Sequence, residues 1–130
     1  MRLSLDFASL RRTYARREAS PIDVAREVLS RIAARGCDAV WISRVPDERL
    51  LAEAAALEPA DPSALPLYGF PFAVKDNIDV AGLPTTAAWP DFAYMPRYSA
   101  PVVDRLRRAG ALFVGKTNLD QFATGLVGTR

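Results

Sequence analysis

The chain has 130 residues, half of them hydrophobic and a quarter charged, proportions of an ordinary globular protein that exclude a disordered or fibrous chain. Its length suits one domain, or part of a larger one, and is enough to bury a core without disulfides or metal clips. One cysteine, Cys37, and no histidine exclude, within these residues, an internal disulfide, a histidine-ligated metal and a Ser-His or Cys-His catalytic pair.

The opening residues lack the apolar core of a signal peptide, and no run approaches the roughly 18 apolar residues of a membrane span. The expected compartment is the cytoplasm. The net charge of +2 is built from fifteen arginines and only two lysines. Most arginines alternate with Asp and Glu and read as solvated helix faces, the alternative being a surface for nucleic acid or another anionic partner. The two lysines, Lys75 and Lys116, each follow an apolar strand-like run. An ammonium can lose its proton when desolvated and a guanidinium cannot, so a lysine kept among arginines points to chemistry.

In chain order, Leu3, Phe7, Leu10 and Tyr14 recur at helical spacing and predict a helix over about Ser4 to Arg17. Ser20-Pro21-Ile22-Asp23 combines a capping serine, a proline at the first helical position and an acid three residues after the cap. A second helix is predicted from there to Gly36, burying Val24, Ala25, Val28, Leu29 and Ile32. Ala39 to Val45 is β-rich, and Asp47 to Leu57 is an alanine-rich helix. Residues 1–58 are thus mainly helical, and 59–66, rich in proline, read as a linker.

Residues 67–130 predict a βαβ segment. Phe70 to Val74 is a buried strand. Ser99 caps a helix running to about Ala109, with Pro101 in its first turn, Val102, Val103 and Leu106 facing inward and Gly110 closing it. Ala111 to Val114 is the next strand, and Thr117-Asn118-Leu119-Asp120 a capping pattern for another helix. Strand, helix, strand implies parallel pairing. The link from Asp76 to Tyr98 is longer than structureless connections usually are. It leaves the C-terminal end of a strand, where open parallel sheets place their sites. Lys75, Asp76, Asn77, Thr85 and Thr86 are therefore expected in or beside a crevice, the alternative being a covering loop without chemistry.

Gly69-Phe70-Pro71-Phe72-Ala73-Val74-Lys75-Asp76-Asn77, Gly82-Leu83-Pro84-Thr85-Thr86 and Gly115-Lys116-Thr117-Asn118-Leu119-Asp120-Gln121-Phe122-Ala123 resemble the start of the amidase-signature hydrolases. Within that family, Val74 to Gly82 and Phe122 to Arg130 are most similar to the allophanate hydrolases. The resemblance implies an α/β fold, with N-terminal helices followed by the first βαβ elements of an incomplete α/β/α sandwich. It also implies amide hydrolysis by a nucleophilic serine, a second serine on a cis peptide bond and a lysine, without metal or organic cofactor.

On that resemblance Lys75 is the catalytic lysine, a general base that takes the nucleophile's proton through the bridging serine and returns it to the leaving amine. Phe70, Phe72 and Val74 are expected to bury it; the alternative is a buried stem reaching a carboxylate. Thr124 and Gly125 would contact substrate, Asp76 and Asn77 would fix the loop, and Lys116 would be a structural cation near the sheet edge. Trp89 departs from the small residue or cysteine expected in an allophanate-hydrolase-like loop.

The serines are Ser4, Ser9, Ser20, Ser30, Ser43, Ser63 and Ser99, none beside a glycine, so no nucleophile matches the family's Gly/Ser-rich segment. The chain is expected to be an N-terminal portion, inactive alone, of an enzyme converting allophanate, a small-molecule amide, to ammonia and carbon dioxide. No nucleic-acid or membrane partner is expected. The competing expectation is a non-catalytic protein that docks onto a partner, or pairs as a homodimer, through an incomplete sheet.

Overall fold

The computed structural model describes residues 3–125. Its first helix, α1 (Phe7–Ala15), begins where the Asp6 carboxylate accepts the backbone N–H of Ser9 at 2.9 Å. It ends before Arg17, whose φ of 54° lies in the left-handed region. The cap and this turn trim the helix expected from periodicity at both ends. In α2 (Pro21–Arg35) the expected capping box is formed in full. Ser20 Oγ accepts from Asp23 N at 3.3 Å and Asp23 Oδ2 from Ser20 N at 2.9 Å. Its buried face is Pro21, Val24, Ala25 and Val28.

Strand β1 (Trp41–Arg44) and α3 (Asp47–Leu57) follow. Arg26, Arg31, Arg35, Arg44 and Arg49 each lie 2.6–3.8 Å from an acid three or four residues away. These are local pairs at the surface, each worth a few tenths of a kcal/mol.

Three strands make the sheet, in the order β1-β3-β2. β2 (Pro71–Lys75) runs parallel to β3 (Leu112–Thr117), as the βαβ pattern requires, and β1 joins the far side of β3 antiparallel. The sheet therefore unites segments before and after residues 59–66. β3 lies between two strands and is buried from Leu112 to Lys116.

It continues three residues past the Val114 expected. Gly115 permits this, because a Cβ there would stand 2.6 Å from the Ser43 carbonyl oxygen, so only glycine lets β1 approach so closely. The turns at 66–70 are pinned to the end of α4 (Pro101–Arg108) by Leu67 N to Ala109 O and Gly69 N to Gly110 O, both 2.9 Å.

Three expectations are corrected here. Ser99 does not cap α4: Ala100 holds that position, and the Ser99 hydroxyl, one residue too early, instead accepts Ala81 N at 2.9 Å. Val102 is half exposed, and Val103 alone of that helix is fully buried. Thr117 to Asp120 leads not into an α-helix but into one 3₁₀ turn, Gln121–Ala123, in which Phe122 and Ala123 have φ of 53° and 57°. Consecutive left-handed residues cannot continue a right-handed helix.

The core gathers Val28, Leu50, Ala54, Val74, Val103, Leu112, Phe113 and Val114 around the sheet. Each valine, leucine or phenylalanine among them contributes about 1.5–3 kcal/mol when fully withdrawn from water. A second cluster joins Leu10, Tyr14, Val24 and Tyr68. No helix among the described residues is long and apolar enough to cross a membrane.

Candidate active site

The C-terminal ends of β2 and β3 lie side by side, with Lys75 opposite Thr117 and Val74 opposite Lys116. Successive side chains of a strand point to opposite faces. Val74 is buried; Ala73 and Lys75, on the other face, are exposed. The expected burial of Lys75 by Phe70, Phe72 and Val74 is therefore not found: Phe72 and Val74 turn to the other face of β2, and Phe70, ahead of the strand, packs against Phe7 and Tyr14.

The lysine that is buried is Lys116. It has no solvent exposure and lies on the central strand, not near a sheet edge. Its Nζ is 2.9 Å from Asp76 Oδ1, also fully buried, and donates to Thr85 Oγ1 at 3.2 Å and Pro84 O at 3.3 Å. A buried stem reaching a carboxylate is thus the arrangement of Lys116.

Asp76 fixes the loop as expected, through its carbonyl and Oδ2, while its N–H and Oδ1 face β3. Its N–H donates to Thr117 O at 3.0 Å and its carbonyl accepts Ala87 N at 3.2 Å. Its Oδ2 accepts Thr86 N at 3.1 Å and also the Thr86 hydroxyl. Thr85, likewise buried, pairs its backbone with Tyr94 and donates its hydroxyl to Asp79 Oδ1 at 2.8 Å. Tyr94 adds a second donor to that oxygen at 2.6 Å. The Tyr94 bond is the main cause holding the Asp79 carboxyl below the usual carboxylate range; the Thr85 bond and the Lys116 charge act in the same direction.

The long connection is therefore an ordered loop folded over the strand ends. At its turn Ala87 and Ala88 have φ of 50° and 61°, a conformation that costs alanine of the order of 1 kcal/mol or more per residue. Asp76 holds this turn through Ala87 N, and Ala87 O accepts Phe122 N at 3.0 Å. The second left-handed pair, Phe122 and Ala123, is thereby tied to the first.

Thr124 and Gly125 follow immediately. Thr124 is exposed and donates its hydroxyl to Gln121 O at 2.8 Å. Gly125 lies against Asp120, whose Oδ2 would be 2.0 Å from an added Cβ. Asp76, Thr85 and Thr86 thus share one hydrogen-bonded corner at the end of the strand that carries Lys75, and the segment leading to Thr124 and Gly125 is tied to it through Phe122 N and Ala87 O. Asn77 is exposed beside it, and Leu126 to Arg130 of the resembling stretch lie outside the described residues. Exposed Trp89, Phe92, Tyr94 and Phe122 border the corner, and Phe92 meets Tyr94 and Phe122 edge-on at 5.7 and 5.2 Å.

No serine in this corner is arranged as a nucleophile. Ser99 accepts a backbone N–H, and Ser20 caps α2. Ser43 stands across the strands from Lys116, but that ammonium is directed to Asp76, Thr85 and Pro84. Cavities of about 440 and 700 Å³ open beside Tyr14 and Tyr68, lined by none of the predicted site residues. Sequence reasoning missed Asp79 and Tyr94. Their contact spans fifteen residues, and neither lies in a periodic or capping pattern that would have marked it.

Residues 23–130 match the family model described as Amidase. The chain belongs to the amidase family. Among its relatives, it is 62% identical to the urea amidolyase of Saccharomyces cerevisiae over 94 residues, which are 72% of this chain and 5% of that protein. Allophanate hydrolase of Kluyveromyces lactis superposes with a TM-score of 0.73 at 45% identity, over 92% of this chain and 21% of that one. The peptide amidase of Stenotrophomonas maltophilia gives a TM-score of 0.80 at 32% identity, over 92% and 26%. The chain thus spans about a quarter or less of these amidase relatives, and its α/β architecture is that of the corresponding part of the amidase fold.

Proposed function

We propose that this chain carries the base-bearing corner of an amidohydrolase that converts allophanate to ammonia and carbon dioxide. The reading is carried by Lys75, which stands exposed at the end of β2 within the family's Val74-Lys75-Asp76-Asn77 pattern. A neutral amine there accepts the proton of a serine nucleophile through a bridging serine and returns it to the departing nitrogen. In this reading both serines come from polypeptide other than these 130 residues, and the chain alone is inactive.

Packing of further protein over Trp89, Phe92 and Phe122 would exclude water around Lys75 and favour the uncharged amine. Thr124 and Gly125 line the acyl side of the pocket. The enzyme acts in the cytoplasm on a small amide, with no nucleic-acid or membrane partner. The substrate test is ammonia release by the full-length enzyme from allophanate, urea and a simple primary amide. Allophanate should be preferred at least tenfold in kcat/KM; equal or better use of the simple amide would overturn the assignment.

A second reading is favoured by the position of β2, whose outer side faces no strand among the described residues. The chain would then dock a partner, or a second copy, by strand addition there. A monomeric mass in solution with no exposed-surface dye binding would remove it.

A further inference from the structure

Gln121-Phe122-Ala123-Thr124 contains none of the residues that favour left-handed backbone, yet Phe122 and Ala123 have φ of 53° and 57°. Such residues keep that conformation only where their surroundings impose it. All four are exposed. They are joined to the loop by Phe122 N to Ala87 O at 3.0 Å, by Gln121 Nε2 to Ala88 O at 3.5 Å, and by the Phe122 ring, which meets Phe92 edge-on at 5.2 Å.

The turn on which they rest is fixed from below. Thr86 N donates to Oδ2 of the fully buried Asp76 at 3.1 Å, Ala87 N to Asp76 O at 3.2 Å and Ala88 N to Thr86 Oγ1 at 3.2 Å. Lys116 holds the other carboxylate oxygen of Asp76. On the preceding side Leu119 and Asp120 are buried. A strained, exposed stretch lightly joined to a firm support is where a protein opens locally most easily.

We infer that residues 121–124 form a strap that seats on the turn at 86–88 through Phe122 and lifts from it while the sheet stays folded. Seated, it fixes Thr124 and Gly125 relative to the turn that Asp76 holds. Lifted, it releases the left-handed strain of Phe122 and Ala123. A small amide that contacts Thr124 and Gly125 would bind the seated form and draw the population toward it. That last step rests on the reading of these two residues as substrate contacts; the strap itself does not.

Native-state hydrogen exchange of single amides in this chain is the test. Lifting the strap exposes little surface and global unfolding exposes much, so low urea should leave the Phe122 exchange rate nearly flat. The rate of Leu112, whose N–H donates to Phe70 O at 2.8 Å in the core, should climb. The Ala123 side chain is exposed, so changes there act on the backbone. Ala123→Gly, which removes the left-handed penalty, should slow Phe122 exchange, and Ala123→Val, whose branched side chain raises it, should speed it, each by roughly two- to fivefold. Phe92→Ala should speed it by roughly two- to tenfold through loss of the ring contact.

A Phe122 rate that climbs with urea in parallel with Leu112 overturns the inference, as does a rate indifferent to the Ala123 and Phe92 variants. Thr124→Val in the full-length enzyme is measured in parallel. A raised KM for allophanate with kcat kept supports the link to substrate. Unchanged kcat/KM removes the substrate reading of Thr124 and leaves the strap standing.

Discussion

Lys116 Nζ lies 2.9 Å from Asp76 Oδ1, and neither side chain has any exposure to solvent. Truncating one partner leaves a buried charge without compensation, a change that costs about 3–5 kcal/mol. Lys116→Met should therefore lower the urea-unfolding stability of this chain by roughly that amount. Adding Asp76→Asn should recover part of the loss, because two neutral groups replace one stranded ion. A double variant no more stable than the single would show that the pair's charges are not the source of the effect.

Tyr14 and Gly69 form a second long-range constraint, between α1 and the turn before β2. The Tyr14 hydroxyl donates to Gly69 O at 2.9 Å. Gly69 has φ of +70°, and a Cβ there would meet the Tyr14 hydroxyl at 2.5 Å. Tyr14→Phe should cost about 1 kcal/mol, the usual worth of one hydrogen bond. Gly69→Ala should cost more, since it adds left-handed strain to a clash. Equal costs in chemical denaturation would mean that the clash is relieved by movement of Tyr14.

The hydrogen bond from Tyr94 to Asp79 sets a pH window. It is the largest cause lowering the Asp79 carboxyl and also the largest raising the Tyr94 phenol. For Asp79, the stabilisation is present above the unfolded carboxylate value near 4 and fades as pH falls below it. For Tyr94, it is present below the unfolded phenol value near 10 and fades as pH rises above it. Tyr94→Phe should flatten the decline of Tm at both ends of a scan from pH 2 to 11. A parallel downward displacement of the whole curve would instead place the bond's contribution outside proton linkage.

Much of this fold could be read from local chemistry. Ser20, Pro21 and Asp23 specify the start of α2 through contacts within four residues, and the helical spacing of Val24 and Val28 points that helix at the core. The amidase resemblance located Lys75 and the loop that follows it. What could not be read was which lysine is buried. Phe72 and Val74 flank Lys75 in sequence, but alternation along β2 turns them to the opposite face. The apolar run Ala111 to Val114 predicts a strand that stops short of Lys116, whereas β3 continues through Gly115 alongside β1. The pairing of β1 with β3 crosses some seventy residues, and no short-range pattern encodes it. Asp79 and Tyr94 were hidden for the same reason: their meeting is set by how the loop folds over Thr85.

The central claim is that Lys75 is the base of an amide hydrolase, and allophanate turnover by the full-length enzyme carrying Lys75→Ala or Lys75→Arg tests it most directly. Loss of a general base should lower kcat by about 10²- to 10⁴-fold. Arginine, which keeps the positive charge but cannot give up its proton, should be no better than alanine. An unchanged circular dichroism spectrum would establish that both variants are folded. Turnover within a few fold of the unaltered enzyme in Lys75→Ala, or substantial rescue by Lys75→Arg, would contradict the claim.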